Sequence, residues 1–255
     1  MKNTTLKQKL KNKELTIGSW ITIGHQAIID VLGEIGFDWL TIDIEHTSID
    51  LNELQILIAF IQSKNIAALV RVSKNDEVII KRTLDAGADG IIVPMTNSGA
   101  DAKQAVDYAK YPPLGKRGVG LSRAQRYCFG FEGYKSWMEE NLVIIAQVEH
   151  IDGINNIEDI INTEGIDGTF IGPYDLSASL GVPGKFEEPV VIEALEKYKS
   201  ACSLNKFSMG YHVIEPDHKL VNEKIKQGYN FIALSTDYHF MGRKAASEMK
   251  ELTSR

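Results

Sequence analysis

The stretch Trp39-Leu40-Thr41-Ile42-Asp43, followed by an amphipathic stretch from Leu51 to Ser63, shows the pattern that decides the fold. The first stretch is apolar on both faces, as expected of a parallel strand buried under helices. The second carries Leu54, Ile58 and Ile61 at helical spacing. The sequence therefore predicts a strand followed by a helix in this part of the chain.

This strand-and-helix unit recurs along the chain. Eight such apolar runs occur, at residues 17–23, 39–43, 67–72, 90–94, 142–149, 168–172, 208–214 and 231–235. Gly87, Gly165 and Gly228 fall where a glycine would end a helix before the next strand. Eight units in 255 residues predict an α/β fold, a single (β/α)8 TIM barrel over residues 1–255. A doubly wound open sheet is the alternative, but residues 23–26 lack the Gly-rich phosphate turn that it needs after the first strand.

Composition limits the class of protein. The chain has a formal net charge of −6, 44% hydrophobic and 24% charged residues, which is ordinary for a globular protein. The absence of a Lys- and Arg-rich stripe argues against a nucleic-acid partner. No apolar run approaches the ~18 residues of a membrane span, and residues 1–15 lack the apolar core of a signal peptide. We therefore expect a cytoplasmic protein without a membrane partner. Two cysteines, Cys128 and Cys202, are too few for a disulfide framework.

Ionisable side chains stand at the carboxyl ends of four predicted strands. They are Asp43, Glu45 and His46 after the second strand, Arg71 on the third, Glu149 on the fifth and Asp175 after the sixth. The carboxyl ends of parallel barrel strands share one face, so these groups should meet there. An unpaired buried charge costs several kcal/mol, so packing alone does not explain the cluster. The structural alternative is an ion pair between Arg71 and a carboxylate that closes the barrel without any metal.

The carboxylates in this set suggest a metal. Carboxylate oxygens without cysteine suit a hard, octahedral divalent cation such as Mg²⁺ or Mn²⁺. Two carboxylate ligands would leave coordination positions open for substrate and water, as metal-assisted catalysis requires.

Several motifs together resemble one enzyme family. Residues 36–46 (Gly-Phe-Asp-Trp-Leu-Thr-Ile-Asp-Ile-Glu-His) are similar to the signature of the HpcH/HpaI, or hydroxy-ketoacid, family of class II metal-dependent pyruvate aldolases. The other matching segments are Gly18-Ser19-Trp20, residues 70–72, 93–95, 111–113, 117–120 and 147–149, and the run from Phe170 to Ser177. They occur in the family's order over most of the chain, and the series is specific although each segment alone is weak.

The resemblance implies a role for each catalytic residue that matches. Glu149 and Asp175 would hold the divalent metal, with Co²⁺ as an option beside Mg²⁺ and Mn²⁺. Pyruvate would chelate it through its carboxylate and keto oxygens. Arg71 would lie beside the keto oxygen and balance the developing negative charge. His46 would be the general base toward the aldol hydroxyl, because histidine transfers protons near neutrality. Asp43 would support the metal's waters and Arg71, or orient Arg71 alone.

The resemblance also implies how pyruvate is bound. Gln147 matches a polar contact to pyruvate, and backbone amides near Tyr174 and Asp175 would bind the carboxylate. Trp20, on the first strand, could form the wall next to the pyruvate methyl group, and the alternative is that it only packs at the end of the barrel. Tyr174 stands where many relatives have alanine, which would narrow the pocket. His212, on the seventh strand, is expected to be a core or rim residue.

Asp85 matches the family's partner for the catalytic histidine, a contact made across a subunit interface. Asp85 stands at the end of the predicted helix that follows the third strand, and this helix should end near the opposite face of the barrel. It could hardly reach His46 of its own chain, so this pair requires a homo-oligomer. The resemblance implies a hexamer built as a trimer of dimers. The extra C-terminal helix, from Tyr238 onward, could be swapped onto a neighbouring subunit. The alternative is that Asp85 is an ordinary helix-end residue.

Residues 111–133 form the one irregular region and are expected to be a long loop, a feature that is usually functional in a barrel. Its arginines Arg117, Arg123 and Arg126 could meet an acidic aldehyde, but surface ion pairs are the expected role.

The predicted reaction is reversible cleavage of a 4-hydroxy-2-oxo acid to pyruvate and an aldehyde. No lysine stands at any of the predicted strand ends, which argues against a Schiff-base mechanism. One alternative is a condensing enzyme that uses the same enolate on another electrophile, as in a citrate-synthase-like reaction or in sugar-acid or siderophore synthesis. Another is a non-catalytic metal- or ligand-binding barrel, which the joint presence of the polar residues disfavours.

Overall fold

Eight parallel strands close into a barrel, with neighbours in chain order and the last strand paired with the first. A computed structural model describes residues 5–253. The strands are β1 Thr16–Ile21, β2 Trp39–Asp43, β3 Ala67–Arg71, β4 Gly90–Val93, β5 Val143–Val148, β6 Gly168–Ile171, β7 Met209–Val213 and β8 Phe231–Thr236. The predicted (β/α)8 TIM barrel is confirmed, and each strand lies within a predicted run except for one residue at the ends of β1 and β8.

Helices surround the barrel, and one precedes it. They are α1 Leu6–Lys11, α2 Gln26–Leu32, α3 Leu51–Ser63, α4 Glu77–Asp85, α5 Gly99–Ala109, α6 Phe131–Asn141, α7 Ile151–Asn155, α8 Ile157–Ile161, α9 Pro173–Ser179, α10 Pro189–Leu204, α11 His218–Lys226 and α12 Asp237–Thr253. The predicted bounds of α3 are correct. Asp50 and Glu53 form a capping box at its start, which explains where the helix begins.

A polar residue directly before each even-numbered strand ties that strand to the one before it. Each of these residues accepts a hydrogen bond from a backbone N–H near the start of the preceding strand. The pairs are Asp38 with Ile17 (2.8 Å), Asp89 with Ala68 (2.8 Å), Asp167 with Ile144 (2.9 Å) and Asn230 with Met209 (2.9 Å). Two residues earlier stands a glycine with positive φ, at positions 36, 87, 165 and 228, where the turn needs a left-handed residue. This repeated device sets the strand register at the amino-terminal end of the barrel.

Helix α1 covers the amino-terminal end of the barrel, which the sequence analysis did not predict. Leu10 is fully buried in the interior cluster of the barrel. Its carbonyl oxygen accepts a 2.7 Å hydrogen bond from Ser208 Oγ. Lys7 pairs with Asp167 at 2.7 Å. The helix is short and its only buried residue is one leucine, so hydrophobic periodicity gives no signal for it.

Aromatic rings fill the barrel interior. Trp39 stacks on Phe231 with ring centroids 4.3 Å apart, and Phe170 meets Phe231 edge-on at 5.8 Å. Phe170 in turn meets Trp20 at 5.8 Å. These packed rings support Trp20, which lies at the end of the barrel where the strands finish.

The C-terminal helix α12 contacts β1 and β8. Asp237, at its start, is buried and accepts hydrogen bonds from the backbone N–H groups of Thr22 and Ile23, both at 2.8 Å. Residues 241–253 are all exposed, so most of the helix lies away from the barrel. The expectation that it packs on a neighbouring subunit stays a prediction. No helix within residues 5–253 combines the length and apolar character needed to cross a membrane.

Candidate active site

Two carboxylates at the end of β2, Asp43 and Glu45, hold Arg71 at the end of β3. Asp43 and Arg71 are register partners in the sheet. Arg71 Nε and Nη2 donate to the two oxygens of Asp43 at 3.0 and 2.6 Å, a bidentate pair. Glu45 Oε2 lies 3.2 Å from Arg71 Nε. The predicted proximity of Asp43 and Arg71 is therefore present, and the pairing fixes the guanidinium in one orientation.

Trp20 packs against the guanidinium of Arg71. The Arg71 Cζ atom lies 4.5 Å from the centroid of the indole ring. Cation–π contact of this kind favours a positive charge over the ring face. Trp20 is also buried, so it forms a rigid wall beside Arg71.

Glu149 directly follows β5 and is buried. Its Oε1 accepts a 2.8 Å hydrogen bond from the backbone N–H of Met95, and its Oε2 accepts one from Gln147 Nε2. A Cβ on Gly172 would lie 2.8 Å from Glu149 Cβ and 2.9 Å from Glu149 Oε2, so only glycine allows α9 to begin this close. Asp175, in the first turn of α9, is thereby brought toward Glu149.

Burial disfavours the ionised forms of two glutamates near Arg71, Glu149 and Glu45. Burial raises the pKa of Glu149 above the ordinary carboxyl value, and the nearby Asp175 charge adds to this, while the Met95 and Gln147 hydrogen bonds and Arg71 oppose it. Burial also raises the pKa of Glu45, against the effect of Arg71. Four carboxylates and one guanidinium thus share this end of the barrel, an excess of negative charge that a cation would neutralise.

A cavity of about 520 Å³ opens beside these groups. Trp20, Arg71, Gln147 and Asp175 are among the residues that line it. Tyr174 also lines it and meets Phe186 edge-on, with ring centroids 4.9 Å apart. The cavity therefore combines charged and amide groups with aromatic rings.

His46 lies at the rim. Its side chain is 68% exposed, and Nε2 is 3.6 Å from Glu45 Oε2. Its backbone N–H donates to Asp43 at 3.3 Å, which holds the turn after β2 close to Arg71.

Asp85 lies apart from the other predicted residues, at the end of α4. Its Oδ1 accepts hydrogen bonds from Arg117 Nη2 at 2.6 Å and from Gln125 Nε2 at 3.3 Å. Within residues 5–253 no donor is bonded to Asp85 Oδ2, and the side chain is 18% exposed. The chain does not bring its own Asp85 to His46, and the contact across subunits stays a prediction.

Arg117 forms an ion pair, with Asp85 at 2.6 Å, but the expected position at the surface is wrong. This side chain is only 1% exposed. Its guanidinium lies 4.9 and 5.5 Å from the ring centroids of Tyr111 and Tyr134, and it donates to the Tyr134 hydroxyl at 2.9 Å. Arg123 donates instead to Ala86 O and Gln62 Oε1. The loop turns these arginines inward, where aromatic rings and buried acceptors replace water.

The sequence analysis placed Glu45 in the predicted cluster but gave it no separate role, and it placed His212 only as a core or rim residue. The contact of Glu45 with Arg71 appears only in the folded chain. His212 lines the cavity, and its Nε2 lies 3.2 Å from the carbonyl oxygen of Ser235. Strand alternation predicts that His212 faces inward, but only the closed barrel puts it beside Trp20.

The residues around Glu149 fit a divalent cation. Gln147 Oε1 is buried and has no hydrogen-bond donor in the part of the chain that the structure describes. Asp175 forms no ion pair there, and its charge acts on Glu149. Hard oxygen donors with unneutralised charge are suited to Mg²⁺ or Mn²⁺. No group of three or more His, Cys, Asp or Glu side chains within residues 5–253 forms a complete metal cage. Two carboxylates would leave the remaining positions to substrate and water.

A TIM barrel whose strands end in an acidic cluster around one arginine has the form of a barrel enzyme with its site at the carboxyl ends of the strands. A sequence model of the HpcH/HpaI aldolase/citrate lyase family matches residues 16–242. The chain belongs to this family, as its motifs indicate.

Individual relatives cover nearly the whole chain. The hydroxypyruvate/pyruvate aldolase of Roseobacter denitrificans (strain ATCC 33942 / OCh 114) is 32% identical over 251 residues, 97% of each chain. A crystal structure of an HpcH/HpaI aldolase/citrate lyase family protein from Burkholderia cenocepacia J2315 superposes with a TM-score of 0.91 at 30% identity, covering 98% of this chain and 99% of that one. The citrate synthase SbnG superposes with a TM-score of 0.85 at 25% identity, covering 99% and 98%. The aldolase from Roseobacter denitrificans supports an aldolase, an enzyme of the lyase type.

Proposed function

We propose that the protein is a class II aldolase that reversibly cleaves a 4-hydroxy-2-oxo acid to pyruvate and an aldehyde. The observation that carries this proposal is the position of Arg71 in the same cavity as Asp175, next to the buried Glu149. A fixed guanidinium and a pair of carboxylates that could hold a divalent cation, close to one small cavity, are what enolate chemistry on a 2-oxo acid needs. The aldolase relative supports the same reaction type.

Glu149 and Asp175 would hold the divalent cation, Mg²⁺ or Mn²⁺. When bound, such a cation supplies Lewis acidity that makes the protons next to a keto group easier to remove. Gln147 positions Glu149 through its side-chain hydrogen bond and keeps its own Oε1 available toward the site. It would also contact pyruvate, whose carboxylate would lie near the backbone amides of Tyr174 and Asp175.

Arg71 would stabilise the negative charge that develops on the keto oxygen. Its guanidinium is already oriented by Asp43 and Glu45, so little reorganisation accompanies the reaction. The wall formed by Trp20 excludes water from the same side.

His46 would take the proton from the aldol hydroxyl during cleavage and return it during condensation. Its exposed position at the rim suits contact with the acceptor rather than with the enolate. Tyr174 and Phe186, which also line the cavity, would contact the aldehyde.

Metal removal tests the proposal. In D₂O with Mg²⁺ or Mn²⁺, the methyl protons of pyruvate should exchange with solvent in the presence of the protein, because the enolate forms without any aldehyde. EDTA should abolish this exchange, and Mg²⁺ added back should restore it. Proton NMR of the methyl signal measures the rate. A protein that exchanges no protons with metal present would contradict the aldolase and support a non-catalytic barrel.

A second candidate is a condensing enzyme that adds the same enolate to another electrophile. The structural similarity to the citrate synthase SbnG favours it. Metal-dependent exchange without turnover of any 4-hydroxy-2-oxo acid would support this candidate over the aldolase.

We also propose that Asp85 of one subunit partners His46 of another, in a hexamer built as a trimer of dimers. Asp85 Oδ2 supports this, because it is left without a donor within residues 5–253 while Oδ1 is occupied by Arg117. In this arrangement Asp85 would orient the imidazole of the neighbouring chain.

Mixing two inactive variants tests the shared site. His46→Ala and Asp85→Asn should each cleave poorly, and mixed oligomers of the two should regain activity at up to about a quarter of the sites, because subunits combine at random. Asp85→Asn keeps an acceptor oxygen for Arg117, so the fold is preserved. A fully active monomer, or no recovery in oligomers shown by mass spectrometry to be mixed, would contradict the proposal.

A further inference from the structure

A loop formed by residues 117–125 surrounds Asp85, the residue that would reach a neighbouring subunit. Arg117 Nη2 and Gln125 Nε2 both donate to Asp85 Oδ1, at 2.6 and 3.3 Å. The backbone N–H of Ala124 donates to the carbonyl oxygen of Asp85 at 3.1 Å. The loop therefore fixes the backbone of Asp85 and one of its two carboxylate oxygens.

Arg117 is in turn fixed by groups on several sides. Its Nη1 donates to the Tyr134 hydroxyl at 2.9 Å, and its guanidinium packs on the rings of Tyr111 and Tyr134. Gln125 Nε2, which bonds to Asp85, also donates to the Tyr111 hydroxyl at 2.7 Å. Guanidinium, amide and phenol groups thus form one network that ends at Asp85 Oδ1.

The ion pair between Arg117 and Asp85 calls for a role beyond stability. Arg117 is buried, and Asp85 is its one carboxylate partner within residues 5–253. Removing both charges from water offsets much of their attraction, so a buried ion pair is weak evidence for stability. Its geometric effect is clearer, because a carboxylate held by one oxygen at a rigid network presents its other oxygen in a fixed place.

The second oxygen of Asp85 is open. Oδ2 has no hydrogen-bond donor in the described part of the chain, and it is not one of the buried unpartnered atoms there, so solvent reaches it. Gly120 passes beside it. A Cβ at position 120 would lie only 2.9 Å from Asp85 Oδ2. Because Gly120 has no positive φ, its conformation does not require glycine, and the missing side chain serves to leave space at Oδ2.

His46 has the complementary feature. Its side chain is 68% exposed, and Glu45, 3.6 Å from Nε2, is the one acidic group that pairs with it within residues 5–253. An imidazole N–H donates well to a carboxylate oxygen, which also fixes the tautomer of the ring. An exposed imidazole on one chain and an open, oriented carboxylate oxygen on another therefore match as donor and acceptor.

We propose that Arg117 and Gly120 are positioning residues for the contact between subunits. Arg117 holds Asp85 by Oδ1, and Gly120 leaves the approach to Oδ2 free for the His46 imidazole of another subunit. This inference rests on the proposed function, in which that imidazole takes the proton of the aldol hydroxyl.

Gly120→Ala should slow cleavage without slowing enolate formation. The added methyl group crowds Oδ2, so kcat for cleavage of 4-hydroxy-2-oxohexanoate, the aldol of pyruvate and propionaldehyde, should fall about 10- to 100-fold. Pyruvate proton exchange in D₂O with Mg²⁺ should stay unchanged, because it involves no aldol hydroxyl. Gly118→Ala is the matched control in the same loop, and it should change neither rate. Its Cβ would meet no atom closer than Lys81 Cδ, at 3.9 Å.

Arg117→Lys should show the same selective loss. Lysine keeps the charge but lacks the planar fork that joins Asp85 to Tyr134. Circular dichroism and native mass spectrometry would show that each variant folds and assembles. Gly120→Ala leaves the buried network intact, so it tests the inference even where Arg117→Lys does not fold.

Mixed oligomers show which subunit these residues serve. Gly120→Ala mixed with His46→Ala should regain cleavage at up to about a quarter of the sites, because some sites then join an intact His46 to an accessible Asp85. Gly120→Ala mixed with Asp85→Asn should regain none, since both substitutions affect the same half of the contact. Arg117→Lys should behave like Gly120→Ala in both mixtures.

Three results would overturn the inference. Normal cleavage by Gly120→Ala would mean that the space at Oδ2 is not used. Equal losses of exchange and cleavage would mean that the loop only supports the fold. Failure of Gly120→Ala to recover with His46→Ala would mean that Gly120 serves the site of its own chain. No exchange, or no cleavage of any 4-hydroxy-2-oxo acid, by the unsubstituted protein would instead contradict the proposed function itself.

Discussion

Replacing Arg71 with lysine should lower pyruvate proton exchange by about 10²- to 10³-fold, the usual effect of losing one oriented donor to a developing oxyanion. Lysine keeps the positive charge but not the planar fork that Asp43 and Glu45 hold. The loss should appear in kcat more than in KM, because the interaction strengthens as the enolate forms. Single-turnover exchange measured by NMR checks it.

Arg71→Ala should be more severe, because it also leaves Asp43 buried without its partner. Removing one member of a buried ion pair typically costs about 3–5 kcal/mol of folding stability. Lysine is therefore the more informative substitution, and circular dichroism would confirm that both variants fold. Arg82→Ala, at an exposed position of α4, is the control and should exchange protons normally. Normal exchange in Arg71→Lys would remove Arg71 from the proposed mechanism.

Replacing Glu149 with glutamine should weaken Mn²⁺ binding by about 100-fold or more, since even residues that only support metal ligands change affinity by 10- to 100-fold. The glutamine oxygen can still accept from the Met95 N–H. Gln147 can turn its amide, because its Oε1 has no donor within residues 5–253. Shape and hydrogen bonds are thus kept while the charge is lost. Calorimetry with Mn²⁺ measures the affinity directly, apart from activity.

The same substitution should raise the melting temperature in EDTA. Burial raises the pKa of Glu149, so the ionised side chain is disfavoured in the folded protein relative to the unfolded chain. Above the ordinary carboxyl pKa this charge lowers stability, and a neutral glutamine removes the penalty. Glu158→Gln, on the exposed face of α8, should change neither property. Unchanged Mn²⁺ affinity in Glu149→Gln would contradict its role as a ligand.

The cluster at the carboxyl ends of the strands could be predicted because topology alone brings those ends together. Asp43 and Arg71 are adjacent as soon as β2 and β3 are paired in register. The contact of Glu149 with the start of α9 follows from Gly172, whose missing side chain is visible in the sequence. The site is therefore predictable, because its residues follow local sequence patterns and the order of the parallel strands brings them together.

The hydrophobic pattern of the sequence did not predict helix α1, the burial of Arg117 or the neighbours of His212. Helix α1 buries a single leucine, which is too little for a periodic signal. Arg117 lies in an irregular loop, where charge predicts exposure, and only the folded loop surrounds it with the rings of Tyr111 and Tyr134. For His212 the sequence indicated a strand position but not a neighbour, since Trp20 is about three quarters of the chain length away.

By itself, the sequence determined the barrel, the family and the residue types at the strand ends, because these depend on short-range periodicity and on the fixed order of parallel strands. Only the tertiary structure decided which charges pair, which stay without partners and which face the cavity. Those outcomes depend on burial and on the closure of β8 against β1, which brings side chains distant in sequence within hydrogen-bond reach. The hydrogen bond between His212 and Ser235, the free oxygen of Asp85 and the ion pairs of Arg71 are all decided by the tertiary structure.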